Sequence, residues 1–546
     1  MVAFVRGQPR RLIMCISGSF RQPTNVLVGF FYVQKSSLGG GWQMLDEVSQ
    51  REAGGTIDVH LKTYPMEFRE PFQAYLSCRD LFGPESAFLL ESLSGPRQDA
   101  RSATVGFRPL LTVEIQNCRV SLSGETKIVD IVSRAIEQSG SVHIGSGDIT
   151  IEENADLWKI LRVIQNLFTV DGKTSADSYS FGFFGYFGYD TVRFIETLPR
   201  KIEARDGAPD ICLSVFEGVI KFDLANRTAE LIKADSTLWA PTPLDDITRH
   251  LAGETLSEIR DDIPEVPAPL SISDSITQQR YAEIVQQALY HIGIGDIYQV
   301  QLGHELTIRS AADPLAVYRR LRARNPAPYM YLAQLGSATL IGASPEVFLR
   351  AEAGTITMRP LAGTIRRGRD DEEDAAAAAK LRADEKEIAE HVMLVDLCRN
   401  DIGRICIPRT LAVTELLAIE KYSHVFHLVS NVIGKVSEEI DIYDAIAATF
   451  PAGTMTGAPK VRAMEIIEEL ETSRRGVYAG AVGLIDFSGY ANLALCIRTA
   501  IHDGRDYVIR ASAGIVADSH PDQEWRETRS KLGATYWAIT GTELTP

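Results

Sequence analysis

The clearest periodicities lie in the second half of the chain. Gln278–Gly293 (QQRYAEIVQQALYHIG) carries its apolar residues on one helical face. Residues 375–399 are rich in Ala, Glu and Leu and predict one long or broken helix. Ala458-Pro459 opens a further helix running to about Glu471, because Pro is tolerated in a first helical turn, and Pro521 opens the last, to about Ile539. Residues 477–487 and 492–501 read as strands between them, and in the first half 105–115 and 215–222 do the same. Helices and strands do not alternate regularly. The pattern therefore predicts an α+β fold of mixed or antiparallel sheets with flanking helices, and disfavours a doubly wound parallel sheet. No internal repeat is evident.

Punctuation divides the chain into four stretches. Residues 1–50 carry Arg6, Arg10, Arg11, Arg21 and Lys35 with no acidic residue before Asp46. Such a start can be a targeting peptide, but the favoured reading is plainer, a loosely ordered extension or an upstream start codon. Residues 51–240 form a mixed N-terminal region. Residues 241–272 hold Pro241, Pro243, Pro264, Pro267 and Pro269 and predict a linker. Residues 273–546 hold the strongest patterns.

Composition narrows the function. The 546 residues carry a net charge of −16, which argues against a nucleic-acid partner, since phosphate binding needs a basic face. An anionic small substrate would instead need local Arg, Lys or a metal ion. No apolar run approaches the length of a membrane span, and TNVLVGFFYV (24–33) is far too short. The seven cysteines are scattered and contain no CxxC pair, which argues against a zinc site and predicts reduced thiols in the cytoplasm.

Several residues are candidates for chemistry, each with a plainer alternative. Glu387 and Glu390, and Glu524 and Glu527, are two i, i+3 pairs, each on one face of a predicted helix. Converging, the four would offer hard oxygens suited to Mg²⁺; apart, they are solvated helix faces. PAGTMTGAPK (451–460) is a turn before a helix N-terminus, able to cradle an anion or merely to turn, and it lacks the spacing of an NTP-binding loop. Ser512-Ala513-Gly514 permits close approach of a ligand, or a tight turn. Arg498 in an apolar run needs a carboxylate, from substrate or protein. His427, Tyr478 and Glu346 are unremarkable one at a time.

Together these segments are not anonymous. GASPE (342–346), RPLAGTIRRGR (359–369), EKEIAEHVMLVDLCRNDIGRI (385–405), VFHLVS (425–430), GTMTGAPKVRAMEIIEELE (453–471), AGIVADS (513–519) and EWRETRSK (524–531) occur in order. In these strings the chain resembles the chorismate-utilising enzymes, and among them the component I family of anthranilate synthases. The resemblance is dense over 275–540 and thinner over 56–230. It implies the layered α/β sandwich of those enzymes, with 273–546 as a chorismate-binding catalytic domain and 51–240 as a regulatory-type region. It implies Glu390 and Glu527 as Mg²⁺ ligands, with Glu387 and Glu524 close by or bridged through water. Tyr478, Arg498, Ser512, Ala513, Gly514 and Lys531 match positions around the substrate carboxylates, and Gly363, Thr364 and Thr454 line the same pocket. Glu346 matches the general acid that protonates the departing C4 hydroxyl, and His427 the histidine tied to loss of pyruvate.

Two positions sort the subfamilies. Water-adding relatives carry a lysine base where this chain has Gln299, and an amide cannot take up a proton at neutral pH. Many aminodeoxychorismate synthases carry a nucleophilic Lys where this chain has Ala362. Both imply direct addition of ammonia at C2, with ammonia drawn from a separate glutamine amidotransferase subunit in a hetero-oligomer. LLES (89–92) and NPAPYM (325–330) resemble the segments of a tryptophan feedback pocket, implying Ser92, Pro328, Tyr329 and Met330 as contacts for L-tryptophan; an ordinary strand and loop is the alternative. One departure is Ser512, which stands where the family favours Gly. The expected activity is conversion of chorismate and ammonia to anthranilate and pyruvate. Three others stay open: a 2-amino-2-deoxyisochorismate synthase that releases no pyruvate, an aminodeoxychorismate synthase, and a non-catalytic tryptophan sensor.

Overall fold

The computed structural model describes residues 55–545 apart from 96–101, 145–148, 152–155, 173–175, 204–206, 254–261 and 423–424. The expectation for residues 1–50 lies outside the described residues. Residues 52–546 form one compact unit.

The fold is the expected layered α+β arrangement. Twelve α-helices flank strands joined into one network of 24, among the described residues. All the described strand pairings are antiparallel except one, Ile57–Met66 beside Phe168–Asp171. The two halves of the sequence share this network. Ala87–Glu91 lies between Ser102–Gln116 and Tyr329–Leu335, and Gly182–Phe187 pairs with Ala481–Asp486. Strands such as Gly182–Phe187 (GFFGYF) are buried along their whole length because sheet covers their edges and core covers both faces. Within 241–272, Leu244–Ala252 is helical, burying Ile247 and Leu251.

The elements that carry the candidate residues form for local reasons. Gln278–Gly293 is a helix capped by Thr277, whose hydroxyl accepts from Arg280 N–H at 3.2 Å. It covers a core of Val300, Leu302, Ala513 and Ile515. The Ala-rich stretch is broken into Asp371–Ala383 and Glu385–Gly403, because Asp384 leaves the helical conformation and caps the second helix, accepting from Lys386 and Glu387 N–H. Lys460–Leu470 and Pro521–Thr540 begin as their prolines predict. No helix of the described residues is long and apolar enough to cross a membrane. Their six cysteines are free of disulfides.

Candidate active site

The floor of the site is an antiparallel pair, Gln299–Arg309 against Asp506–Ile515, in the register Gln301↔Gly514 and Gly303↔Ser512. Alternation turns Val300 and Leu302 into the core and Gln299 and Gln301 to the opposite face. Gly514 leaves room for the two amides there: a Cβ would lie 2.7 Å from Gln299 Nε2 and 2.9 Å from Gln301 Nε2 and would push them aside. Ser512, two residues earlier on the same face, is in hydrogen-bond contact with Tyr478, Oγ to OH 2.5 Å. Ala513 points the other way into the core, so its methyl takes no part in the pocket.

The helix Pro521–Thr540 lies over this strand. Lys531 Nζ donates to Ser512 O at 2.9 Å and pairs with Glu527 at 2.5 Å. One turn back, Glu524 is buried and accepts from Ser519, and burial raises its carboxyl. From the Glu385–Gly403 helix, Glu387 and Glu390 face the same space. Glu390 is pushed up to about 7, first by burial and then by the charges of Glu387, Glu527 and Glu524, against the pull of Lys386. Glu387 is raised by burial and by Asp384. The two acidic faces predicted from spacing thus lie near enough for the charge of one to act on the other.

Among the described residues no three His, Cys, Asp or Glu side chains lie close enough together to form a preformed metal cage. Mg²⁺ needs none, since it keeps several waters and takes one or two carboxylates plus a ligand anion. Hard oxygen donors whose charges push one another's pKa up fit a divalent cation, which would relieve that repulsion.

A bulge builds the opposite wall. Leu361–Arg366 pairs with Val425–Lys435, and the register slips between Ala362 and Thr364. Gly363 absorbs the slip at φ +72°, and a Cβ there would sit 3.3 Å from Glu387 Oε2. The slip sets Thr364 opposite His427. His427 Nδ1 lies 3.0 Å from Thr364 Oγ1 and 3.2 Å from Gly363 O. Burial pushes its imidazole down to about 4, so it is neutral at physiological pH.

Glu346 sits between two strands, buried, and Oε1 accepts from Thr454 Oγ1 at 3.1 Å. Burial pushes its carboxyl up to about 8. The Thr454 hydroxyl, Leu361 N–H, Arg498 and Lys531 only partly oppose this. Thr454 belongs to the one-turn helix Gly453–Thr456, which ends where Gly457 adopts φ +145° and pairs with Val300. Arg498 interrupts the strand expected over 492–501; it adopts φ +52° between Ala491–Leu495 and Thr499–His502. Its guanidinium has no ion-pair partner among the described residues and feels the charges of Tyr478, Glu527 and Glu346. A cation held in a strained backbone, without a protein carboxylate, is what a substrate anion requires.

Sequence reasoning missed what holds this wall in place. Glu471, fully buried, accepts from Gly303 N–H at 3.0 Å, from Arg475 at 2.9 Å and from Arg510 at 2.7 Å. Arg475 also donates to Met455 O and Gln301 O. The cluster ties the turn bearing Thr454 to the strand bearing Gln301. The i, i+4 spacing of Glu471 and Arg475 was its one visible sign.

Away from this site, Ser92, Pro328, Tyr329 and Met330 line one cavity of about 1190 Å³, with Tyr490 and Asn492 among its other walls. The structure brings the four predicted tryptophan contacts together, at a junction of N- and C-terminal strands.

Residues 121–536 match the family model of chorismate binding enzymes. The chain is 48% identical over 497 residues to a 2-amino-4-deoxychorismate synthase from Streptomyces globisporus, covering 89% of this chain and 98% of that one. It is 38% identical over 471 residues to anthranilate synthase component 1 from Acinetobacter calcoaceticus, covering 83% and 90%. Among solved structures it resembles anthranilate synthase component I from Streptococcus pneumoniae, with a TM-score of 0.66, 30% identity, and 80% and 92% of the two chains covered.

Proposed function

The chain belongs to the chorismate binding enzymes, and from that premise we propose that it adds ammonia to C2 of chorismate while the C4 hydroxyl departs, giving 2-amino-4-deoxychorismate. The observation that carries the reading is Glu346, a buried carboxyl raised to about 8 beside Arg498 and Lys531. Hydroxide is a poor leaving group, and an acid still protonated at neutral pH can deliver it as water. A bond forms from nitrogen to C2, the two ring double bonds shift, and the C4–O bond breaks toward the proton of Glu346. Ammonia enters as a neutral nucleophile, so Gln299, which cannot serve as a base, suffices. Arg498 and Lys531 bind the substrate carboxylates, and the Tyr478–Ser512 pair bounds them.

Mg²⁺ would be held by Glu390 and Glu527, with Glu387 and Glu524 close by, and would supply positive charge for the ring carboxylate. Ammonia would come from a glutamine amidotransferase subunit. The cavity beside Ser92 would take L-tryptophan as a feedback ligand.

Stopping at the aminated ring is favoured by the 48% identical relative, whose named product has nitrogen at C2 and no oxygen at C4. A second reading adds expulsion of pyruvate to leave anthranilate. His427 favours it: a neutral imidazole that gives Nδ1–H to Gly363 O keeps Nε2 free to take the C2 proton. The test is to incubate the purified chain with chorismate, Mg²⁺ and ammonium and follow products by mass. An aminated product that retains the enolpyruvyl group supports the first reading. Anthranilate with equal pyruvate supports the second, and an amine at C4 refutes both. No turnover refutes the assignment of the site.

A further inference from the structure

The helix Pro521–Thr540 brings Glu527 and Lys531 to the pocket, and its height and rotation decide where they arrive. Its strand-facing side carries Trp525, Thr528 and Leu532, all buried, at i, i+3 and i+7. Apolar contact holds a helix down without fixing where it stops, because burial is not directional. A slip of one residue would move Glu527 and Lys531 by about 1.5 Å and turn them by about 100°. A directional contact is needed to set the helix.

His304 supplies one. It lies on Gln299–Arg309 opposite Ala511, and alternation places it with Val300 and Leu302, on the face away from Gln299 and Gln301. It is 1% exposed, and its ring stacks on Trp525 with centroids 4.5 Å apart. Nδ1 lies 2.8 Å from Asp274 Oδ1, at the end of the neighbouring strand Ser271–Asp274, and Nε2 lies 2.9 Å from Thr528 Oγ1. Thr528 gives its hydroxyl proton to Trp525 O at 2.8 Å, so it meets His304 as an acceptor. Aspartate, histidine and a hydroxyl in a row have the order of a hydrolytic triad. Here the hydroxyl is fully buried and its proton is spent on the backbone, so the row holds and does not attack. Lys531 also reaches the strands, at Ser512 O, yet the proposed substrate carboxylates draw on that same ammonium.

We propose that His304 is a positioning residue for the reaction: anchored by Asp274 and bonded to Thr528, it sets the helix Pro521–Thr540 so that Glu527 and Lys531 face the pocket. This rests on the reading of those two residues as metal and substrate ligands. The test compares His304→Leu, His304→Gln and Thr528→Val with the wild-type chain, and takes Ile284→Ala, in the same core as Trp525, as a control for lost stability alone. His304→Leu and Thr528→Val should raise KM for chorismate and the Mg²⁺ needed for half-maximal turnover about tenfold. Their kcat at saturation should stay within about threefold of wild type, because Glu346 stands on other elements, between Ala338–Ser344 and Val347–Glu352. His304→Gln, which keeps a donor for Thr528, should restore both constants. Amide hydrogen exchange over residues 521–531, measured without substrate or metal, should quicken in His304→Leu and Thr528→Val and return to the wild-type rate in His304→Gln. Ile284→Ala should lower Tm and leave KM and the Mg²⁺ midpoint alone. Unchanged constants in the folded variants overturn the proposal, as do a failure of Gln to restore them, a loss confined to kcat, or equal shifts in the control. If His304→Leu does not fold, Thr528→Val decides by the same readings. A wild-type chain inert with chorismate and ammonium overturns the functional reading instead, and the exchange rates then decide by themselves whether His304 sets the helix.

Discussion

Replacing Glu346 with Gln should sharply slow turnover and stabilise the protein at alkaline pH, and both effects follow from one burial. The carboxyl is moved from its ordinary 4.5 to about 8. Below pH 4.5 it is neutral in folded and unfolded chains alike. Between 4.5 and about 8 the unfolded chain releases the proton and the folded chain keeps it, so stability falls as pH rises through that window and levels off above it. The full shift corresponds to about 5 kcal/mol. Gln keeps an oxygen for Thr454 and Leu361 but adds an N–H₂ group, whose unmet donors would cost about 1–3 kcal/mol. The net gain at pH 9 is then about 2–4 kcal/mol, and for a unit of roughly 500 residues that raises Tm by about 2–4 °C. At pH 5 the gain should vanish or reverse. Calorimetry of wild type and variant at the two pH values measures this. In the same pair, turnover per unit of free ammonia should fall about 10²–10⁴-fold in the variant at pH 7.5. The wild-type rate, normalised in the same way, should decline as pH rises above about 8. A variant within tenfold of wild type, or a normalised rate still climbing at pH 9.5, would show that Glu346 is not the acid.

The remaining expectations concern the metal, the regulatory cavity and the turn that carries Thr454. Glu527→Gln should raise the Mg²⁺ needed for half-maximal turnover at least about tenfold, read by titrating Mg²⁺ at fixed chorismate; an unchanged midpoint removes Glu527 from the ligand set. L-tryptophan should raise the Tm of the wild-type chain, as any ligand of the folded state must, and Ser92→Phe should suppress that rise; a wild-type Tm indifferent to tryptophan assigns the cavity to another ligand. Gly457→Ala should destabilise the chain by several kcal/mol, because φ is +145° and the new methyl would lie 2.2 Å from Gln299 O; denaturation within about 0.5 kcal/mol of wild type would mean that the turn relaxes freely.

Much of the site was legible because spacing on a helix is a spatial statement. Glu387 with Glu390 and Glu524 with Glu527 each define a face by spacing alone, and Pro459 and Pro521 mark where two of the helices begin. Periodicity does not report that two faces meet. It was the long matching strings, and not the i, i+3 pairs, that implied a metal site in place of two solvated helices. Breaks in regular structure were the least legible feature. The strand expected over 477–487 starts only at Ala481, because Ala479 adopts φ +64°, and the turn so formed brings Tyr478 to Ser512. Arg498 breaks the next strand in the same way.

Two of the residues proposed to face the substrate, Tyr478 and Arg498, sit at or beside these breaks, and there is a physical reason. A side chain in a regular strand is directed by the pleat into core or solvent, and its neighbours satisfy it. To present Arg498 or Tyr478 to a ligand, the backbone must leave the pleat, which requires residues in sparsely populated conformations. Such strain persists only where the surroundings hold it. Here they do: Arg475 and Arg510 converge on Glu471, and that cluster fixes Met455 O, Gln301 O and Gly303 N–H together. Ser512 shows the same logic on a smaller scale. The resemblance led to an expectation of Gly here, yet the hydroxyl does not merely narrow the pocket, because it bonds Tyr478 OH while the Ser512 carbonyl accepts from Lys531. Ser512 thus joins two of the proposed carboxylate-binding groups through one residue of the floor. Their positions should shift together in any variant that moves it.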